Sequence, residues 1–130
     1  MTSVAYVDAS ALVKLAVVEE GSVEMLRWYV ESKRVVTSRI GVIETSRAAA
    51  RRPHDRDALQ MLLASVFVIE LDQRIADMAV SVGPTLLRAL DAVHLASALS
   101  LGGTVDAFVT YDDRLADAAR AIGLPVVRPA

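Results

Sequence analysis

Short runs of β-branched residues alternate along the chain with alanine- and leucine-rich stretches of helical length, and this alternation limits the fold more than any other feature. Val4–Val7, Val35–Thr37, Val66–Ile69, Val105–Val109 and Pro125–Val127 read as strands. Helices are predicted from Ala11 to Val17, Glu20 to Ser32, Ile40 to Arg52, Asp57 to Ser65 and Leu71 to Val82, where Gly83-Pro84 breaks the helix; a further helix, starting near Arg88 or at Asp91, runs to Leu101, and the last spans Asp113 to Ile122. Pro53, Gly102-Gly103 and Gly123 close three of them. A strand that follows a helix pairs parallel to the strand before it, through a right-handed crossover. The expected fold is therefore α/β, with a central parallel sheet of four to five strands, helices on both faces, and residues 1–130 in a single domain.

Such sheets bind ligands outside the strand C-terminal ends, where the strand order reverses. Asp8 follows the first strand, and Asp112 follows the strand beginning at Val105. If the order reverses between those two strands, both carboxylates face one crevice. Each is equally well a helix N-cap, and one of Asp112 and Asp113 is expected to cap, leaving the other free. Thr110 offers a hydroxyl beside them.

Asp91 carries the only fixed charge between Ala89 and Val105, in a segment apolar on nearly every side. A buried carboxylate there is costly unless it is paired, hydrogen-bonded or metal-bound, although a helix start would make it a cap. Glu44 is the lone acid between Glu31 and Asp55, and local spacing favours an i,i+3 pair with Arg47. His94 shares a helical face with Asp91 and is expected to be a packed, hydrogen-bonded histidine rather than a general base.

Composition removes other chemistries. With no cysteine there is no thiolate metal site, thiol nucleophile or disulfide, and two histidines do not make a structural zinc site. No Gly-x-Ser-x-Gly elbow, phosphate loop or dinucleotide fingerprint occurs. The remaining set, Asp8, Glu44, Asp91 and Asp112, is all oxygen. Clustered carboxylates repel, and a hard divalent cation such as Mg²⁺ or Mn²⁺ relieves that repulsion. Although the chain carries a net charge of −2, seven of its 14 basic residues lie between Lys33 and Arg56, against Glu44 and Asp55 alone. An arginine-rich rim of this kind, including Arg39, Arg47, Arg51 and Arg52, suits a polyanion, and equally a solvated helix face.

Four segments carry a resemblance: Val-Asp8-Ala-Ser-Ala-Leu-Val-Lys-Leu, Val-Ile-Glu44-Thr-Ser-Arg, Leu-Asp91-Ala-Val-His-Leu-Ala and Val-Thr-Tyr-Asp112-Asp-Arg-Leu. In this order the chain resembles a PIN domain, and within that family the VapC toxins of bacterial toxin–antitoxin pairs. The resemblance implies a PIN-like three-layer α/β/α sandwich and an Mg²⁺- or Mn²⁺-dependent endoribonuclease. It implies that Asp8, Glu44, Asp91 and Asp112 are the catalytic acids and that Asp8, Asp91 and Asp112 hold metal. Ser10, Thr110 and Asp113 would stand just behind them. It also implies a cognate VapB-type antitoxin, an RNA substrate and a homodimer. The mean hydropathy of +0.41 is compatible with apolar surface covered by partners, and Leu26, Trp28 and Val30 are expected to contribute to it.

No stretch is long and apolar enough to span a membrane, and the start lacks signal-peptide character, so a soluble, cytoplasmic protein is expected. A receiver domain would need a late lysine, but the last lysine is Lys33; a haloacid-dehalogenase-like phosphatase would need a second acid at Ser10. A non-catalytic RNA- or protein-binding module on the same fold, or a PIN nuclease without an antitoxin, are the readings to separate from the toxin.

Overall fold

The computed structural model describes residues 4–32 and 34–130; Lys33, one member of the basic run, lies outside them. The elements run β1 (Val4–Val7), α1 (Ala9–Ala16), α2 (Ser22–Glu31), β2 (Val35–Ser38), α3 (Arg39–Ala50), α4 (Arg56–Ser65), β3 (Phe67–Ile69) and α5 (Gln73–Ser81), followed by α6 (Ala89–Leu99), β4 (Val105–Val109), α7 (Asp113–Ala121) and β5 (Val126–Val127). All strand pairings are parallel, in the order β3-β2-β1-β4-β5. From β1 the chain steps outward to β2 and β3, then returns to the other side of β1 for β4 and β5. The order therefore reverses between β1 and β4, which meets the condition under which Asp8 and Asp112 face one crevice.

Strand β1 is buried along its whole length, and its side chains serve two layers. Val4 and Tyr6 pack with Val36, Phe108, Leu95 of α6 and Leu115 of α7. Ala5 and Val7 pack with Ala107 and Val109 of β4, Leu12 of α1 and Met25 of α2. The period of two along the central strands thus builds one core on each face, giving a three-layer α/β/α sandwich. Tyr6 stacks on Phe108 with ring centroids 5.3 Å apart.

One boundary and one face differ from expectation, each for a local reason. Helix α1 starts at Ala9 because Asp8 is extended and its side chain accepts the Ala11 N–H. Helix α6 starts at Ala89 with Arg88 as its cap, as expected, because Gly83 has a φ of +75° and a turn closes from Leu87 N–H to the Pro84 carbonyl. The segment after Pro84 is therefore a loop leading into the helix. On α2, Val23, Leu26 and Val30 lie exposed along one stripe, but Trp28 falls on the opposite side and packs against the core. Among the described residues no helix is long and apolar enough to cross a membrane.

Candidate active site

The ends of β1 and β4 are tied together through Asp8. Its backbone N–H donates to the Val109 carbonyl at 3.1 Å. Its carboxylate is only 3% exposed. Oδ1 accepts from the Ser10 hydroxyl at 2.7 Å and the Ala11 N–H at 3.1 Å, and Oδ2 accepts from the Thr110 hydroxyl at 2.6 Å. Ser10 and Thr110 are themselves held: the Tyr111 N–H donates to the Ser10 hydroxyl at 2.8 Å, and the Asp112 N–H to the Thr110 hydroxyl at 3.0 Å. Asp8 is thus both cap and site residue. Burial pushes its carboxyl above the usual carboxylate range, and the nearby His94 ring and the donors from Thr110, Ser10 and Ala11 pull it back only partly.

Asp112 is exposed, and its Oδ1 caps α7 by accepting the Leu115 N–H at 3.0 Å. Asp113, the neighbour expected to be free, is paired with Arg128. The capping residue is therefore the one beside the site. Asp91 lies in the first turn of α6, with Arg88 in the cap position and no capping hydrogen bond from that side chain. The Asp91 carboxyl is raised by burial first, then by the charge of Asp112, with Glu44 adding to it; His94 and Arg88 oppose. Three of the acids are thus electrostatic neighbours across α3, α6 and α7.

Glu44 sits in the middle of α3, half-buried, and its Oε1 accepts from Nε2 of His94 at 2.6 Å. The expected i,i+3 pair with Arg47 does not form among the described residues. The buried histidine offers Glu44 a donor shielded from water, which an exposed guanidinium does not. His94 is packed and hydrogen-bonded, as its position in an apolar helix suggested, with Nδ1 2.7 Å from the Tyr6 hydroxyl.

The arginines divide. Arg39 pairs with Glu70 and Arg52 with Glu19, so two of the four expected to face a polyanion already have acidic partners. Arg47 and Arg51 are exposed and make no ion pair among the described residues. Two arginines that sequence reasoning passed over line a cleft with Asp91. Arg88 and Arg114 join Asp91, Pro84, Leu86 and Leu87 around an open cleft of about 300 Å³. The one signal for Arg88 was its place directly before the Leu-Asp91-Ala helix.

Could these acids hold a divalent cation? Among the described residues, no three His, Asp or Glu side chains converge at metal-ligand spacing. Like charges spread apart, and the carboxylates stand as repelling neighbours. The donor chemistry nonetheless fits a hard cation. Every group is a carboxylate oxygen, Asp91 is destabilised as an anion by Asp112 and Glu44, and Asp8 Oδ2 keeps a lone pair beyond the one Thr110 uses.

The chain as a whole is similar to known proteins. Ribonuclease VapC46 of Mycobacterium tuberculosis is 40% identical over 126 residues, covering 95% of this chain and 96% of the relative. Ribonuclease VapC47 of the same species is 34% identical over 130 residues, with the same coverage. The crystal structure of M. tuberculosis VapC20, described as a sarcin–ricin loop cleaving toxin, superposes with a TM-score of 0.75 at 21% identity, covering 96% of this chain and 99% of that one. A PilT N-terminus domain protein of Sulfolobus solfataricus superposes with a TM-score of 0.62 at 14% identity, covering 96% and 86%. The family model for the PIN domain matches residues 5–121, from within β1 to the last residue of α7, and so takes in all four acids. The chain belongs to the PIN domain family.

Proposed function

We propose that this chain is a divalent-metal-dependent endoribonuclease, the toxin of a type II pair with a VapB-type antitoxin, acting on RNA in the cytoplasm. The carrying observation is the acidic set at the β1/β4 switch point, in which burial, Asp112 and Glu44 together raise the Asp91 carboxyl. Asp8, Asp91 and Asp112 would hold Mg²⁺ or Mn²⁺. Bound there, the cation would lower the pKa of a water molecule and offset charge developing on the scissile phosphate. Ser10 and Thr110 fix Asp8, while Glu44, with one oxygen held by His94, would keep the other for the attacking water. Arg47, Arg51, Arg88 and Arg114 hold the RNA backbone.

The partner reading, an antitoxin and a second copy of the chain, is supported by exposed apolar side chains. Val18, Val23, Leu26 and Val30 cluster around α2, and Phe67 on the edge strand is 75% exposed.

Hydrolysis by this route leaves a 5′-phosphate and a 3′-hydroxyl and does not use the RNA 2′-hydroxyl. End-group analysis of cleaved RNA is expected to find those ends. A 2′,3′-cyclic phosphate would mean attack through the 2′-hydroxyl and would contradict the proposal.

The arginine assignment is tested by binding. In an Asp8→Asn background, which leaves the RNA uncut, Arg88→Gln with Arg114→Gln is expected to weaken binding of a short RNA. The salt dependence of log Kd should fall by about two phosphate contacts. Fluorescence anisotropy at several salt concentrations reads both. An unchanged slope, with Arg47→Gln and Arg51→Gln reducing it instead, would move the backbone path wholly onto α3.

A further inference from the structure

Behind Glu44 lies a chain of hydrogen bonds that no active-site residue set so far includes. The Tyr6 hydroxyl stands 2.7 Å from His94 Nδ1, and His94 Nε2 stands 2.6 Å from Glu44 Oε1. Tyr6 is fully buried and His94 is 2% exposed, whereas the Glu44 side chain is 32% exposed. The chain thus runs from the core of the sheet to the crevice, linking the central strand β1, α6 and α3.

Its proton order follows from donor and acceptor chemistry. An ionised carboxylate only accepts, so His94 Nε2 carries a proton toward Glu44. In the neutral imidazole Nδ1 is then the acceptor, and Tyr6 is the donor. A phenol keeps its proton at neutral pH, so the Tyr6 hydroxyl can donate it to Nδ1. Both rings are fixed by packing: Tyr6 stacks on Phe108, and the Tyr6 and His94 rings meet edge to face at 5.8 Å. Glu44, which can only accept, sets the proton on Nε2, and Tyr6 holds the ring from the other side through Nδ1.

We propose that Tyr6 and His94 are positioning residues of the nuclease site: the Tyr6 hydroxyl holds the His94 ring through Nδ1, and the His94 Nε2–H holds Glu44 with one oxygen occupied and the other left for the reacting water. The proposal rests on the ribonuclease reading for its effect on rate, and on the geometry alone for the tautomer. An outer hydrogen-bond partner of this kind typically carries about 10–100-fold in activity.

The test has two arms. In the first, ¹⁵N-detected imidazole spectra of the wild-type chain, which has only two histidines, are expected to find one of them with Nε2 protonated and Nδ1 bare. His94→Gln identifies that signal by removing it. Tyr6→Phe, which keeps the stacked ring, is expected to leave the proton on Nε2, where Glu44 accepts it, and to move the Nδ1 resonance to that of a bare ring nitrogen with no hydrogen-bond donor. A proton on Nδ1 in the wild type would overturn the proposal, whether or not the chain cuts RNA.

In the second arm, Tyr6→Phe is expected to lower kcat for RNA cleavage about 10-fold with KM within about twofold. In a Glu44→Gln background the same change should have no further effect, because the carboxylate it serves is gone. His94→Gln, whose amide N–H still reaches toward Glu44, should retain more kcat than His94→Leu. An unchanged kcat in Tyr6→Phe, or an equal further loss in the Glu44→Gln background, would overturn it. A wild-type chain that cuts no RNA would instead overturn the ribonuclease reading, and the spectroscopic arm would still decide the tautomer.

Discussion

Asp8→Asn is expected to melt at a higher temperature than the wild type while losing at least about 100-fold in RNA cleavage, more than an outer-sphere change removes. The activity loss follows from removing one of the proposed metal-holding carboxylates. The gain in stability follows from burial. The Asp8 carboxyl is raised because desolvation outweighs its hydrogen bonds. Asparagine keeps an oxygen for the Ser10 hydroxyl and the Ala11 N–H, and its amide can donate to the Thr110 hydroxyl, so the same contacts form without a buried charge. A gain of about 1 kcal/mol would raise the melting temperature by roughly 3–5 °C in a chain of this length.

The sign of the pH dependence follows. A carboxyl raised on folding binds its proton more tightly in the native state than in the unfolded one. Stability therefore falls as pH rises from the ordinary carboxylate range through the raised native value, and the penalty is complete above it. Asp91 is shifted in the same direction. Subtracting the Asp8→Asn melting curve from that of the wild type isolates the Asp8 share. The difference should be smallest near the ordinary carboxylate pKa and grow toward neutral pH. Millimolar Mn²⁺ should narrow it by stabilising only the wild type. A variant that melts lower than the wild type at neutral pH would refute this account of Asp8.

The second large effect is expected at Gly41. A Cβ built there lies 2.1 Å from Thr37 Oγ1 and 3.6 Å from His94 Cε1. Alanine would gain up to about 1 kcal/mol in helix propensity, but Thr37 is a stiff, fully buried residue of β2 and cannot withdraw. Overpacking of this kind costs about 1–3 kcal/mol and wins when the clash falls on rigid groups. Gly41→Ala is therefore expected to lower the melting temperature by several degrees and to displace α3, and with it Glu44. Thr37 Oγ1 is buried without a hydrogen-bond partner among the described residues, so Thr37→Ala should restore much of the loss at little cost. Thr37→Val should not, because it keeps an atom at the same place. Thermal melts of the four variants decide this, and rescue by Thr37→Val would show that the close contact is not the cause.

What could be read from the sequence was what local pattern and topology govern. Five β-branched runs became five parallel strands, and the acids after β1 and β4 marked where a reversal of strand order would bring them together, which the sheet then supplies. What could not be read was any partner chosen by tertiary packing. Glu44 and His94 are 50 residues apart, and only the docking of α3 against α6 brings Nε2 to the carboxylate. Arg39 and Arg52 looked like part of a free basic rim until β3 and the end of α1 supplied Glu70 and Glu19. Trp28 looked available because its neighbours are charged, although helical phase turns it inward, opposite Leu26. Arg88 could be read only as the residue near which α6 starts; that it lines a cleft with Asp91 and Arg114 depends on the docking of α7 beside it.

The central claim is that the acids at the β1/β4 switch point are the cutting centre for RNA and work through a divalent cation. Its most direct measurement is RNA cleavage by the purified chain with Mn²⁺ or Mg²⁺, with and without chelator, beside Asp8→Asn. Cleavage that stops on chelation, returns with added cation and is lost in the variant is the expected result. Cleavage by the purified chain that survives both chelation and Asp8→Asn would contradict it.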